Sequence, residues 1–373
     1  MPKNILVIFI PLLLFLVSCQ EVYDADIRKR DDFLVVRALV TDREGEHIVQ
    51  LKNTVAYGQR LNQEPERNAV VYVDDGEGNR FDFQETEPGI YIHNGGFAVE
   101  NQTYILHIEL ADGHVYQSLP QRLNEVQPLD SIYGEFMSKL QDIPDHNNEL
   151  VPTWVQGIEL YTDLDMSGDF ARRLRFEPQL LIQYSQIVAV EVCYEYVPQD
   201  SSFCDMYDDD DPPWLFCRTK VPLGTEINLT RPVFDMPTGD TYQHNLGFVP
   251  RDKRFYPLKF NGQFDRRILL ARQYGLTEDA FEFYRDIIEQ MTAENALFDP
   301  IATQITGNII CTSDPERIAL GLFEVAGASV QSFVMNHEPL DRNDIWLKEI
   351  PDLSFLPDHR CHLETIPEFW IYY

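Results

Sequence analysis

The most specific chemistry in this chain lies at Leu16-Val17-Ser18-Cys19. An aliphatic residue, two small or medium residues and then cysteine is the pattern of a bacterial lipobox. The cysteine thiol takes a diacylglycerol, and the small Ser18 admits a signal peptidase that cuts just before Cys19. The preceding segment fits that chemistry. Met1–Asn4 carries one lysine, and Ile5–Val17 is almost wholly apolar apart from Pro11. That run is short of the roughly 20 apolar residues that cross a bilayer, and it has the proportions of a signal peptide. Residues 1–18 therefore read as a lipoprotein signal peptide with cleavage directed by Leu16, Val17 and Ser18. Cys19 reads as the lipidation site and residues 19–31 as an acidic tether. Two or more acyl chains anchor a protein stably, so the lipid alone is enough to hold it to a membrane.

The other cysteines are Cys193, Cys204, Cys217, Cys311 and Cys361. An exported chain meets no reducing cytosol, so disulfides are expected. With Cys19 acylated the remainder is odd, which leaves at least one cysteine free or paired elsewhere. Cys204 and Cys217 flank an acidic loop and would close it, with Cys193 competing for either; Cys311 and Cys361 would tie late strands together. A metal site at His359-Arg360-Cys361-His362 lacks the spaced Cys or His pair that completes a zinc set. The loop from Cys204 to Trp214 holds Asp205, Asp208, Asp209, Asp210 and Asp211. Carboxylate oxygens suit calcium, but consecutive aspartates splay apart on an extended loop, and a solvated charge run is the preferred reading. No other cofactor is expected.

Asp163-Leu164-Asp165-Met166-Ser167-Gly168 mimics the start of an EF-hand loop, but the twelfth position is Leu174 rather than glutamate. A hairpin turn is expected there instead. Asp130-Ser131-Ile132 matches a short acceptor pattern for O-glycosylation. Serine-hydrolase, zinc-protease and nucleotide-binding signatures are missing, and His337-Glu338 lacks its second histidine. Trp214 and Trp370 could stack on sugars, although tryptophan in β-domains is more often core.

The elements that must carry these residues are mainly strands. The 373 residues are 44% hydrophobic, enough for a sizeable core, and aromatics at 12% exclude a disordered acidic protein. A formal charge of -31 argues against nucleic acid or anionic membrane faces as partners. Period-two alternation predicts strands at 33–40, 47–55, 69–73, 80–83, 89–93, 104–110 and 114–118, punctuated by Gly, Asn and Asp. This spacing predicts an immunoglobulin-like β-sandwich over 32–122. Pro120 and Pro128 bracket a polar linker. Residues 123–373 read as a larger β-rich domain, with strands at 154–162, 173–184 and 187–197 and one helix near 277–292. Thr277 is its expected N-cap, Glu278 and Asp279 suit its positive end, and Phe281, Tyr284, Ile288 and Met291 form its core face.

The acidic tether is similar to surface-export signals of Bacteroidota lipoproteins. Over nearly the whole mature chain the sequence also resembles the Bacteroidota lipoprotein family called domain of unknown function 4249. The amino-terminal part of the resemblance is Val36–Asp42, Val49–Asn53, Ala69–Asp74, Pro88–Tyr91 and Leu129–Tyr133. The more specific part is Phe281–Tyr284, Leu297–Pro300, Gly307–Ile309, Ser313–Pro315 and Leu320–Phe323. The carboxy-terminal Cys361–Glu364 stands where relatives carry a paired-cysteine stretch. The resemblance implies an outer-membrane, surface-exposed accessory or substrate-capture partner of a TonB-dependent transporter, without established catalytic residues. The alternatives are a lipid-anchored hydrolase of glycan or peptide, which could draw on some pair of its many carboxylates, and a surface adhesin or structural module.

Overall fold

The computed structural model describes residues 33–54, 64–129, 132–166, 170–187, 214–223, 227–232, 241–250, 263–293, 305–335, 347–350 and 359–363. Nine strands open the described chain: β1 (Leu34–Thr41), β2 (Glu46–Asn53), β3 (Glu64–Pro65), β4 (Val70–Asp74), β5 (Arg80–Glu87), β6 (Ile90–Asn94), β7 (Thr103–Glu109), β8 (Val115–Ser118) and β9 (Gln121–Arg122). Then follow β10 (Ile132–Pro144), β11 (Leu150–Asp165), β12 (Leu174–Ile187), β13 (Trp214–Pro222), β14 (Asn228–Leu229), β15 (Thr241–Pro250) and β16 (Gln263–Gly275). A helix, α1 (Glu278–Ala293), precedes β17 (Ile309–Cys311), β18 (Ala319–Met335), β19 (Leu347–Ile350) and β20 (His359–Leu363). The fold is mainly β.

Alternation places the core. β1 buries Leu34, Val36, Ala38 and Val40 and turns Val35, Arg37 and Leu39 away, because successive side chains leave a strand on opposite faces. β4 does the same with Val71 and Val73, and β7 with Tyr104, Leu106 and Ile108. Strand β5 is shared between two layers: Arg80–Phe83 pairs with β4, and its later residues pair with β6. One layer then runs β5–β6–β2–β1–β18, and the other runs β5–β4–β7–β8–β17. Their inner faces form one cluster around Tyr91, Tyr104, Tyr116 and Leu51.

This first unit is not closed by residues 32–122. β18 pairs in parallel with β1 from Leu34↔Ala319 to Thr41↔Ala326, and β17 pairs with β8 from Ile309↔Ser118 to Cys311↔Tyr116. Ile309, Cys311, Ala319, Phe323 and Val325 complete the cluster. The expected module therefore borrows two strands from nearly 200 residues downstream.

The second unit grows from the other half of the same strand. β18 pairs antiparallel with β16 from Gly275↔Gly327 to Arg267↔Met335, and β16 leads on to β12, β13 and β20. Facing this sheet is a separate one of three strands, β10–β11–β15. Leu160, Leu164, Leu246 and Val249 from the three-stranded sheet meet Phe176, Leu180, Ile182 and Leu269 from the larger one. β11 and β12 lie in different sheets, so the expected hairpin turn between them is instead a crossover; residues 167–169 lie outside the described set.

The expected polar linker is not a free tether. Leu123 is buried in the first core and Leu129 in the second. Between them the side chain of Asn124 donates to Leu276 O at 3.1 Å, and Gln273 Nε2 donates to Gln127 O at 3.0 Å. Leu129 N donates to Ser329 Oγ at 2.8 Å. The connection is stapled to β16 and β18.

Candidate functional site

Helix α1 begins where the sequence places it: Thr277 Oγ1 accepts from Ala280 N at 3.3 Å, and Glu278 and Asp279 occupy the first turn. Phe281 is buried and Tyr284 and Ile288 are half-buried. Met291 is 48% exposed, so the expected core face stops short of the last turn.

Beneath the helix sits the strongest electrostatic cluster among the described residues. Arg175 on β12 is buried, with its Nη2 donating to Glu324 Oε1 on β18 at 2.8 Å and its Nη1 paired with Glu177. Tyr284 Oη donates to Glu324 Oε2 at 2.6 Å, and Tyr274 Oη donates to Glu177 Oε2 at 3.4 Å. The guanidinium carbon lies 4.4 Å from the Tyr274 ring centroid and 5.0 Å from that of Tyr284. Burial opposes the charge of Arg175, but the neighbouring Glu324, Tyr284 and Glu177 outweigh it and raise its pKa. Burial, then the carboxylates, raises both tyrosines above the ordinary phenol range. The chemistry is that of a fixed ion-pair clamp: a permanent cation, neutral phenolic donors, and carboxylates whose oxygens are committed.

Two histidines report further packing. His244 on β15 stacks on Phe176 with centroids 4.4 Å apart, and its Nε2 bonds Asn228 Oδ1 at 2.6 Å. Burial pushes its pKa down to about 4. His107 pairs with Asp74 and stacks on Tyr72 at 4.6 Å, with Arg80 3.7 Å above the opposite ring partner, Tyr72. This pair stands half-buried on the outer face of the first unit, its ring held by stacking.

Cys311 is a free, buried thiol with Sγ 3.5 Å from Ser313 Oγ, so it makes no tie to Cys361. It cannot, because β17 packs into the first unit while β20 pairs with β13 in the second. Cys217 is disulfide-bonded, and the β13–β20 register sets residue 361 directly opposite it. Cys193, Cys204 and the aspartates at 205 and 208–211 lie outside the described residues, as do residues 1–32 with Leu16, Val17, Ser18 and Cys19. Residues 130, 131, 337, 338 and 370 lie there too.

A family model described as Domain of unknown function (DUF4249) matches residues 20–332. The chain belongs to this family. No curated protein and no solved structure matches it. Several of the residues that carried the resemblance to DUF4249 now have physical roles. Asn308 is buried and clasps one residue of β18, accepting from Phe323 N at 2.9 Å and donating to Phe323 O at 2.8 Å. Gly307 and Gly321 take φ of 84° and 105°, and a Cβ on either would collide with backbone, Gly321 with the Val36 carbonyl. Ser313 Oγ accepts from Val115 N at 2.9 Å. These DUF4249 residues close the first unit; what the sequence alone missed is that they close it.

Proposed function

We propose that this DUF4249 protein is a lipid-anchored, surface-exposed outer-membrane protein of Bacteroidota type that serves as a non-catalytic accessory or substrate-capture partner of a TonB-dependent transporter. The observation that carries the anchor is Leu16-Val17-Ser18-Cys19 followed by an acidic tether. Membership of the family supports the transporter association through what the resemblance implies. In this reading residues 32–122, completed by β17 and β18, form an immunoglobulin-like sandwich near the membrane, and the second unit stands beyond it.

Affinity isolation of the native protein from detergent-solubilised outer membrane tests the assignment. Recovery of a β-barrel partner in stoichiometric amount is the expected result; recovery of the protein alone overturns the transporter role. Palmitate labelling, lost in Cys19→Ala, tests the anchor separately. A second reading, a surface adhesin, is favoured by exposed Leu140, Leu150 and Trp154 on the second unit.

A further inference from the structure

Strands β10 and β11 pair residue for residue from Ile132↔Thr162 to Pro144↔Leu150, and among the described residues β15 pairs beside β11 from Gly157 to Asp165. Among the described residues the rest is a two-stranded arm about 20 Å long, at roughly 3.4 Å per residue. Its two faces differ. Ile132, Ile158 and Leu160 share one face and enter the core of the second unit. The same face continues outward as Leu140, Leu150, Pro152 and Trp154, which are exposed. Leu140 and Trp154 are direct cross-strand partners, 55% and 70% exposed, and Leu150 is 68% exposed. Burying such a stripe is favourable, and a bare two-stranded ribbon is marginal in water without a cover.

Three features specify the cover. The outer edge of β10 has no strand beside it among the described residues, which leaves backbone groups ready for an added strand. Carboxylates frame the apolar stripe: Asp142 and Glu149 are exposed, with Asp145 between them in the turn. Lys139, the one Lys or Arg of the arm, is spent on buried Glu159 and lies over the Phe248 ring. A second copy would bring like charges together, and an anionic bilayer would be repelled.

We propose that the arm docks an extended segment of a partner protein, which adds to the β10 edge, packs apolar side chains on Leu140 and Trp154, and presents lysine or arginine to Asp142, Asp145 and Glu149. The proposal does not depend on the partner being a transporter. The test uses the mature chain and an eight-residue peptide alternating lysine with valine or isoleucine, read by calorimetry. Saturable binding is expected, weakened at least about tenfold by Trp154→Ala with Leu140→Ala, since aromatic anchors dominate such contacts. Asp142→Asn with Glu149→Gln, which leaves the apolar stripe intact, is expected to weaken it as well. No binding to the wild type, undiminished binding to the first variant, or equal binding of a lysine–serine peptide overturns the proposal. A dimer in sedimentation velocity that Trp154→Ala abolishes would assign the arm to a second copy and overturns it too.

Discussion

Tyr284 and Glu324 meet across the boundary between helix and sheet, with the phenol donating to Oε2 at 2.6 Å while Oε1 takes Arg175 at 2.8 Å. One carboxylate thus joins β12, β18 and α1. Removing its charge strands a buried guanidinium, which costs far more than the pair itself contributes. Glu324→Gln is expected to lower unfolding free energy by about 3 kcal/mol or more, and Tyr284→Phe by about 1 kcal/mol. Urea denaturation followed by circular dichroism checks both. The double change Arg175→Met with Glu324→Leu should recover much of the loss; if it is as damaging as the single change, the clamp has been misread.

His244 makes stability depend on pH. Its folded pKa is pushed down to about 4 by burial, from an ordinary 6.5. Between those values only the unfolded chain binds the proton, so stability is complete above pH 6.5 and falls as pH drops toward 4. The loss at pH 5 is about 2 kcal/mol. His47, lowered by burial and by His93, acts in the same direction. Thermal melts of the wild type and His244→Gln between pH 7 and 4.5 isolate the contribution: the variant's slope should be shallower.

Non-reducing peptide mapping should recover Cys217 in a disulfide, with Cys361, which the β13–β20 register sets opposite it, as the expected partner. Cys311 should alkylate without reduction once the chain is unfolded. Reduction is expected to cost about 2–5 kcal/mol. A Cys311-containing disulfide in the mature protein would contradict the structure.

Gly321 sits where β1, β18 and the Gly307 turn crowd together. Gly321→Ala combines a left-handed φ with a collision against Val36 O, and should destabilise by about 3 kcal/mol or more. An isolated fragment of residues 32–122 should likewise fail to melt cooperatively, because its inner face lacks Ile309, Phe323 and Val325. Differential scanning calorimetry reads both.

Much of the first unit was legible in the sequence. The alternation at Leu34–Thr41 and Thr103–Glu109 and the Thr277 cap all lie within a residue or two of the expected positions. Local pattern records which side chains face inward, and that is what these elements use. It does not record partners. The parallel pairing of β1 with β18, the Arg175–Glu324 bond across 149 residues and the two-bond clasp of Asn308 on Phe323 depend on contacts that no short window contains. Ala319–Met335 is buried along much of its length on both faces, so it shows little alternation to mark it as the longest strand. The arm was missed for the opposite reason: its apolar residues look like core, and only their exposure in the folded chain sets them apart.

The pairing of β1 with β18 also sets a timetable. The chain leaves the ribosome from its amino terminus, yet Leu34–Thr41 finds its second neighbour only when Ala319–Ala326 arrives. Through most of synthesis the first unit must wait with an open edge, exposed to wrong pairings during the interval. A stop codon anywhere before residue 319 would therefore yield an unfinished head rather than a shorter but sound protein.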